Sequence, residues 1–178
     1  KEYNDGLQSS ISQLESSEDV AKKLNEIEQE KLRISKSYVG SNKTQGDAML
    51  ASLGIAQESL AVEHERLLAI EKVDGAAKSL AESMTGSLDG LLDKMDEIPL
   101  VGGLLKSLVK GPVENMKAGI SNAAQTLVTD FAGNLRKGVP LMDSLKMAGG
   151  NAFKLLRLAV NPVVLGILAI GAGIVMAI

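Results

Sequence analysis

The sequence predicts an all-α fold: an extended coiled-coil rod, then Pro/Gly-punctuated helices, then a hydrophobic membrane-competent helix. Three observations predict it. Apolar residues at 4-3 spacing run without a slip from Met49 to Ile98, and heptads sustained over that length mark a helix that packs along its whole side. No run alternates with period two, and β-branched residues are scattered, so no strand is predicted. The stretch from Leu158 to Ile178 carries no charged side chain. As a helix at about 1.5 Å per residue it reaches roughly 30 Å, the thickness of a bilayer's hydrocarbon core.

Composition supports helix seams over a globular core. The aromatic residues are Phe131, Phe153, Tyr3 and Tyr38, with no Trp, so the large anchors of most cores are missing. Leu, Ala, Ile, Val and Met supply the apolar content, a mixture suited to helix seams and membrane spans. The absence of Cys excludes a disulfide framework, a thiol nucleophile and a thiolate metal site. Charge is split: residues 1–100 hold 11 Lys/Arg against 19 Asp/Glu, net −8, and residues 101–178 hold 8 against 3, net +5. An acidic half followed by a basic, apolar half implies different surroundings for each. The apolar run lies at the wrong end for a secretory signal. Because the chain opens on Lys1 and closes inside an apolar run, we expect a window from a longer protein.

Four segments follow in order: 1–45, 46–98, 99–157 and 158–178. In the first, Leu7, Ile11 and Leu14 begin a 4-3 spacing that Val20, Leu24, Ile27, Ile34 and Tyr38 continue in a shifted register, with Lys31 at a seam position. The six-residue step from 14 to 20 predicts a kink or a change in supercoil. Gly40 to Gly46 reads as a hinge loop. In the second segment the seam is Met49, Leu53, Ala56, Leu60, Glu63, Leu67, Ile70, Asp74, Ala77, Ala81, Met84, Leu88, Leu91, Met95 and Ile98. Leu53, Leu60, Leu67, Ile70, Leu88 and Leu91 are its candidate oligomer contacts. Glu63 and Asp74 weaken such a seam but can fix its register or strand number. Gly75, Gly86 and Gly90 each cost about 1 kcal/mol relative to Ala, so the rod is expected to depend on association; the alternative is a long helix folded back on a neighbour within one subunit.

Ile98-Pro99 ends the pattern, because the residue before proline is pushed out of the α region. Leu100 to Gly111 reads as an apolar turn or short helix, and Pro112 as the first turn of a helix from Val113 to about Lys137. Its apolar face is Met116, Ile120, Ala123, Ala124, Leu127, Phe131 and Leu135. Gly138 stops it. Pro140 opens a helix from Leu141 to about Val160, with Leu141, Leu145, Ala148, Ala152 and Leu155 on one face. Asn161-Pro162 opens the last segment, where Pro162 suits a first helical turn. Ala169, Gly173 and Ala177 lie four apart and Gly166 adds smooth surface; small residues at that spacing let helices approach closely in membranes, and the alternative is the buried centre of a helical bundle.

Catalytic, metal and cofactor sites are not expected in this window. His64 is the only histidine and sits between Glu63 and Glu65; a metal site needs more ligands at suitable spacing. Asp93, Asp96 and Glu97 lie close in sequence but on a helical end with no pocket to hold a substrate. Gly102-Gly103 through Lys106 lacks the spacing and preceding strand of a phosphate loop. Lys106, Lys110 and Lys117 can neutralise phosphates, yet no stacking aromatics or clustered Arg accompany them, so sequence-specific nucleic-acid binding is not expected.

These residues together resemble a tail tape measure protein of a tailed bacteriophage or a related contractile injection system. The resemblance rests on the low-aromatic helical stretch from Gly46 to Ile98, on the punctuated amphipathic segments from Leu100 to Phe153, and on Leu155-Leu156-Arg157-Leu158-Ala159-Val160-Asn161-Pro162 leading into Val163 to Ile178. It implies a structural, non-enzymatic protein in the virion tail. Several copies, a homotrimer or a hexamer, would fill the tube lumen and set tail length, with tail tube and baseplate hub proteins as partners. Met49 to Ile98 would span about 75 Å as one helix. On ejection the apolar tract would help genomic DNA, held nearby without sequence-specific contact, pass the host inner membrane. No Trp/Phe repeat, lysozyme-like motif or zinc-peptidase motif is present. Two other readings fit the same residues. An α-helical pore-forming toxin predicts that the helices before and after Gly40–Gly46 pack antiparallel within one chain. A bitopic membrane protein with a coiled-coil stalk predicts a charged flank directly after Ile178.

Overall fold

The computed structural model describes residues 14, 16–38, 40–96 and 102–159. Among them regular structure is helical throughout: α1 (Ser17–Ser37), a 3-10 turn (Gly40–Asn42), α2 (Lys43–Asp96), α3 (Gly102–Arg136) and α4 (Leu141–Ala159). The chain is all-α, as its periodicity predicts. It divides into two compact units after Glu71, and α2 contributes residues to both.

In the first unit, α1 begins where the sequence shows its phase slip. Ser16 caps the helix: its Oγ accepts the Asp19 N–H at 3.2 Å, and Glu18 and Asp19 fill the first turn. An acidic first turn complements the positive helix N-terminus. The six-residue step from Leu14 to Val20 is therefore a helix start, and the capping pattern Ser16-x-x-Asp19 is the signal that marks it. Val20, Ile27 and Ile34, seven residues apart, are buried. They pack with Leu53, Ala56, Leu60 and Leu67 of α2, flanked by Leu14, Leu24, Leu50 and Tyr38.

Polar contacts fix the direction of that packing. Ser17 donates its N–H (3.1 Å) and Oγ–H (2.8 Å) to the Glu71 carboxylate, and Lys31 donates to Gln57 Oε1. As α1 advances from 17 to 31, its partners on α2 fall from 71 to 57, so the two helices are antiparallel. Lys31, the one charged seam position of α1, is thus satisfied by an amide from the partner helix. Gly40, at φ +67°, makes the reversal. The hinge predicted over 40–46 is shorter than expected, because α2 already begins at Lys43. Gly46 lies inside α2 and is buried; a Cβ there would fall 2.5 Å from Tyr38 Cβ. The glycine serves a close approach between the helices and does not break α2.

In the second unit, Leu88, Leu92 and Met95 of α2 pack with Val109, Val113, Met116 and Ile120 of α3. Leu92 takes the buried place, while Leu91 is only partly covered at the edge of the cluster. Lys117 pairs with Asp89 across the helices and with Glu114 at 3.0 Å, and Lys106 reaches Asp96 at 3.0 Å and Asp93 at 3.6 Å. The lysines move up α3 as their partners move down α2, so this pair is also antiparallel. α3 starts at Gly102, and Pro112 lies inside it. Of the expected turn or short helix before Pro112, the described residues are helical, and the helix continues through Pro112 where a new one was expected to start. An interior proline costs a helix about 3 kcal/mol, yet Val109, Val113, Met116 and Ile120 form one unbroken buried row across it. Burying those side chains at about 1.5–3 kcal/mol each outweighs the lost hydrogen bond.

Gly138 ends α3 as its position predicts. With φ +80°, it lets its own N–H reach Leu135 O and the Val139 N–H reach Asn134 O, both at 3.0 Å. That pair of bonds is a Schellman cap. α4 then starts after Pro140: the Ser144 N–H bonds Pro140 O at 2.8 Å, and the buried Ser144 Oγ–H bonds Val139 O at 3.1 Å. Asn151 Nδ2 donates to Asp130 Oδ2 at 2.8 Å, and Gly119 abuts Ala159. These contacts place α4 antiparallel on α3.

Candidate functional site

Among the described residues, no group of three or more His, Asp or Glu side chains stands close enough to hold a metal ion. His64 is half-buried, and its Nδ1 has no hydrogen-bond partner among them. Asp93 and Asp96 face Lys106, so the neighbouring carboxylates of the sequence are charge partners of a lysine. The Asp96 carboxylate raises the Lys106 pKa, and Asp89, then Glu114, raise that of Lys117. Both lysines therefore stay charged and tie α3 to α2.

The two seam carboxylates also find local partners. Glu63 pairs with Arg66 at 3.4 Å one turn on, and Asp74 with Lys78 at 2.7 Å. Glu71 performs a different task. It accepts both Ser17 hydrogen bonds at the open N-terminus of α1, and these hold its pKa below the ordinary value near 4.5. Its lowered folded-state pKa means its contribution is present above that ordinary value and is lost as pH falls through the folded pKa. Glu71→Gln is expected to destabilise the first unit at neutral pH and to make no difference in strong acid. Urea titrations at the two pH values check this; an equal deficit at both would overturn it.

What the molecule offers instead is surface. In the second unit an apolar cavity of about 180 Å³ opens where α2, α3 and α4 converge. Small side chains make it: Ala77, Ala81, Ala123, Ala124, Gly149 and Ala152 leave space that a well-packed three-helix core would fill. Leu80 and Phe153 line it too, and both are largely exposed. A more polar groove of about 480 Å³, with Asp74, Lys78, Ser121, Gln125 and Thr129 on its walls, lies between α2 and α3. Besides Phe153 at the rim of the apolar cavity, α4 exposes Met142, Met147 and Leu158.

The residues expected to form an oligomer seam fall into separate clusters. Leu53, Leu60 and Leu67 are buried against the chain's own α1, with Ile70 half-buried beside them in sequence. Leu88 is buried in the second unit, against α3. In this conformation the chain covers its own seam. Pro162, Gly166, Ala169, Gly173 and Ala177, named for membrane packing, lie outside the described residues. Among the described residues, no helix is long and apolar enough to cross a membrane.

Of the face predicted for α4, Ala148 is buried and Ala152 half-buried, but Leu141, Leu145 and Leu155 are exposed, and the more exposed Met142, Met147, Phe153 and Leu158 are not marked by it. The signal lies in what that face omits. Met142, Met147, Phe153 and Leu158 fall outside it, where a solvated helix ordinarily carries polar residues.

No family model, curated protein or solved structure matches the chain.

Proposed function

We propose that this chain is part of a tape-measure-type structural protein, which fills a phage tail tube, sets its length and assists DNA passage through the host membrane on ejection. The observation that carries the reading is the long α2, 54 residues with apolar side chains at heptad spacing. The exposed apolar side chains of α4, whose last two residues begin the charge-free tract at Leu158, support the membrane part. In the tube, several copies lie along one axis as a coiled-coil rod. Leu53, Leu60, Leu67, Ile70, Leu88 and Leu91 are the contacts between copies, and α1 must leave the seam for them to meet. The tract from Leu158 to Ile178 is the membrane-competent segment, packed through Gly166, Ala169, Gly173 and Ala177.

Tail length tests the reading. In particles that carry the gene, deletion of two heptads, residues 72–85, is expected to shorten the tail by about 21 Å at about 1.5 Å per residue. Tails of unchanged length, measured by electron microscopy on infective particles, would overturn it.

One observation favours a second reading. The antiparallel packing of α1 on α2 within one chain is what an α-helical pore-forming protein predicts. Dye release from vesicles by the isolated chain, together with unchanged tail length, would select that reading.

A further inference from the structure

The outward side of α4 combines two properties that water-facing helices seldom combine. Its large apolar side chains are bare: Met142 is 61% exposed, Met147 55%, Phe153 66% and Leu158 83%. Its charges are mainly basic, Lys146, Lys154 and Arg157 against Asp143 alone, and the exposed Arg136 and Lys137 precede it. Lys146 meets Asp143 only loosely, at 3.8 Å.

Helical spacing arranges these groups. Ser144 and Ala148 are buried, which fixes the side of α4 that packs inward. At 100° per residue, Lys146, Gly150 and Arg157 fall on a strip opposite that side, with Asp143 and Lys154 beside it. Met142 and Phe153 border the strip on one edge, Met147 and Leu158 on the other. Two apolar edges with cations between them suit a bilayer interface. There apolar side chains enter the acyl boundary while Lys and Arg stems extend to the lipid phosphates. The alternative partners lack one half of this match: a neutral apolar groove leaves the cations unpaired, and a polyanion leaves the apolar edges in water.

We propose that the outward side of α4 docks on an anionic lipid surface, as an interfacial helix distinct from the tract that follows it. This rests on the membrane part of the reading above and adds the headgroup charge and the residues that meet it. The cations supply attraction and orientation, and Phe153 with Met142 supplies the apolar insertion.

Flotation of the full chain with vesicles tests it. Wild-type chain is expected to bind phosphatidylcholine vesicles containing phosphatidylglycerol more tightly than phosphatidylcholine alone, and added salt should erase the difference. Each basic residue near an anionic surface is worth about fivefold in partitioning. The variant K146Q/K154Q/R157Q should therefore lose about a hundredfold on anionic vesicles and keep its binding to neutral ones. M142Q/F153Q should weaken binding to both, with helical circular dichroism unchanged. Equal binding of wild type to the two vesicle types would overturn the proposal. So would undiminished anionic binding of the triple variant, or loss of self-association as the only effect of M142Q/F153Q. None of these outcomes bears on tail length, so this proposal and the tape-measure reading fail separately.

Discussion

Truncation of Leu60 to alanine is expected to cost about 2–5 kcal/mol, the range for deleting a leucine from a close-packed site. Leu60 is fully buried, within the cluster that Val20, Ile27 and Ile34 make with α2. Domains hold only about 0.05–0.15 kcal/mol per residue, so a loss of that size consumes much of what keeps α1 on α2. α2 should stay helical in part while α1 comes free. The expected signature is a lower urea midpoint with early protease cleavage within Ser17–Ser37. Val62→Ala, at an exposed position of the same helix, should change stability by less than about 0.5 kcal/mol. Equal midpoints for the two variants would mean that Leu60 is not a packing centre.

A methyl group at position 119 is expected to be nearly as damaging. Alanine is better than glycine inside a helix by about 1 kcal/mol, so Gly119→Ala stabilises α3 on propensity alone. The structure reverses the sign. A Cβ at 119 overlaps the Cβ of Ala159. That atom is fixed to the backbone of α4 and cannot rotate aside, so the helices must separate. Overpacking of this kind costs about 1–3 kcal/mol. The double variant G119A/A159G moves the methyl from one helix to the other and should recover most of the loss. Gly133→Ala supplies the contrast: nothing lies within 4 Å of a Cβ there, so it should gain up to about 1 kcal/mol. Thermal melts of the four proteins decide. If G119A melts no lower than G133A, the close approach of α3 and α4 is not real.

The sequence makes helices legible where periodicity is strong and termini carry their own chemistry. Gly138 and Pro140 mark the α3–α4 junction correctly, because a left-handed cap and a first-turn proline are local requirements. Pro112 misleads, because its local penalty is outweighed by a row of buried contacts with α2 that local reading cannot see. Gly46 misleads for a related reason: a glycine that admits Tyr38 looks, in sequence, like a glycine that breaks a helix. The 4-3 pattern of α2 identifies a packed face but not its partner. For Leu53, Leu60 and Leu67 that partner is α1 of the same chain, and for Leu88 it is α3. A heptad describes what a helix needs to bury and is silent on who buries it. The bare apolar residues of α4 are harder to read still, because Ala148 and Phe153 are both apolar letters until the packed side is fixed by Ser144 and Ala148.

The short turn around Gly40 has a kinetic meaning. It tethers α1 to the very stripe of α2 that another copy would need, and a short tether presents its end at an effective concentration on the order of millimolar. A dilute chain therefore answers its own seam faster than any neighbour can. Exchange of α1 for a second copy requires neighbours held at comparable density and in alignment. On the proposed reading, self-occlusion would delay assembly until copies lie side by side.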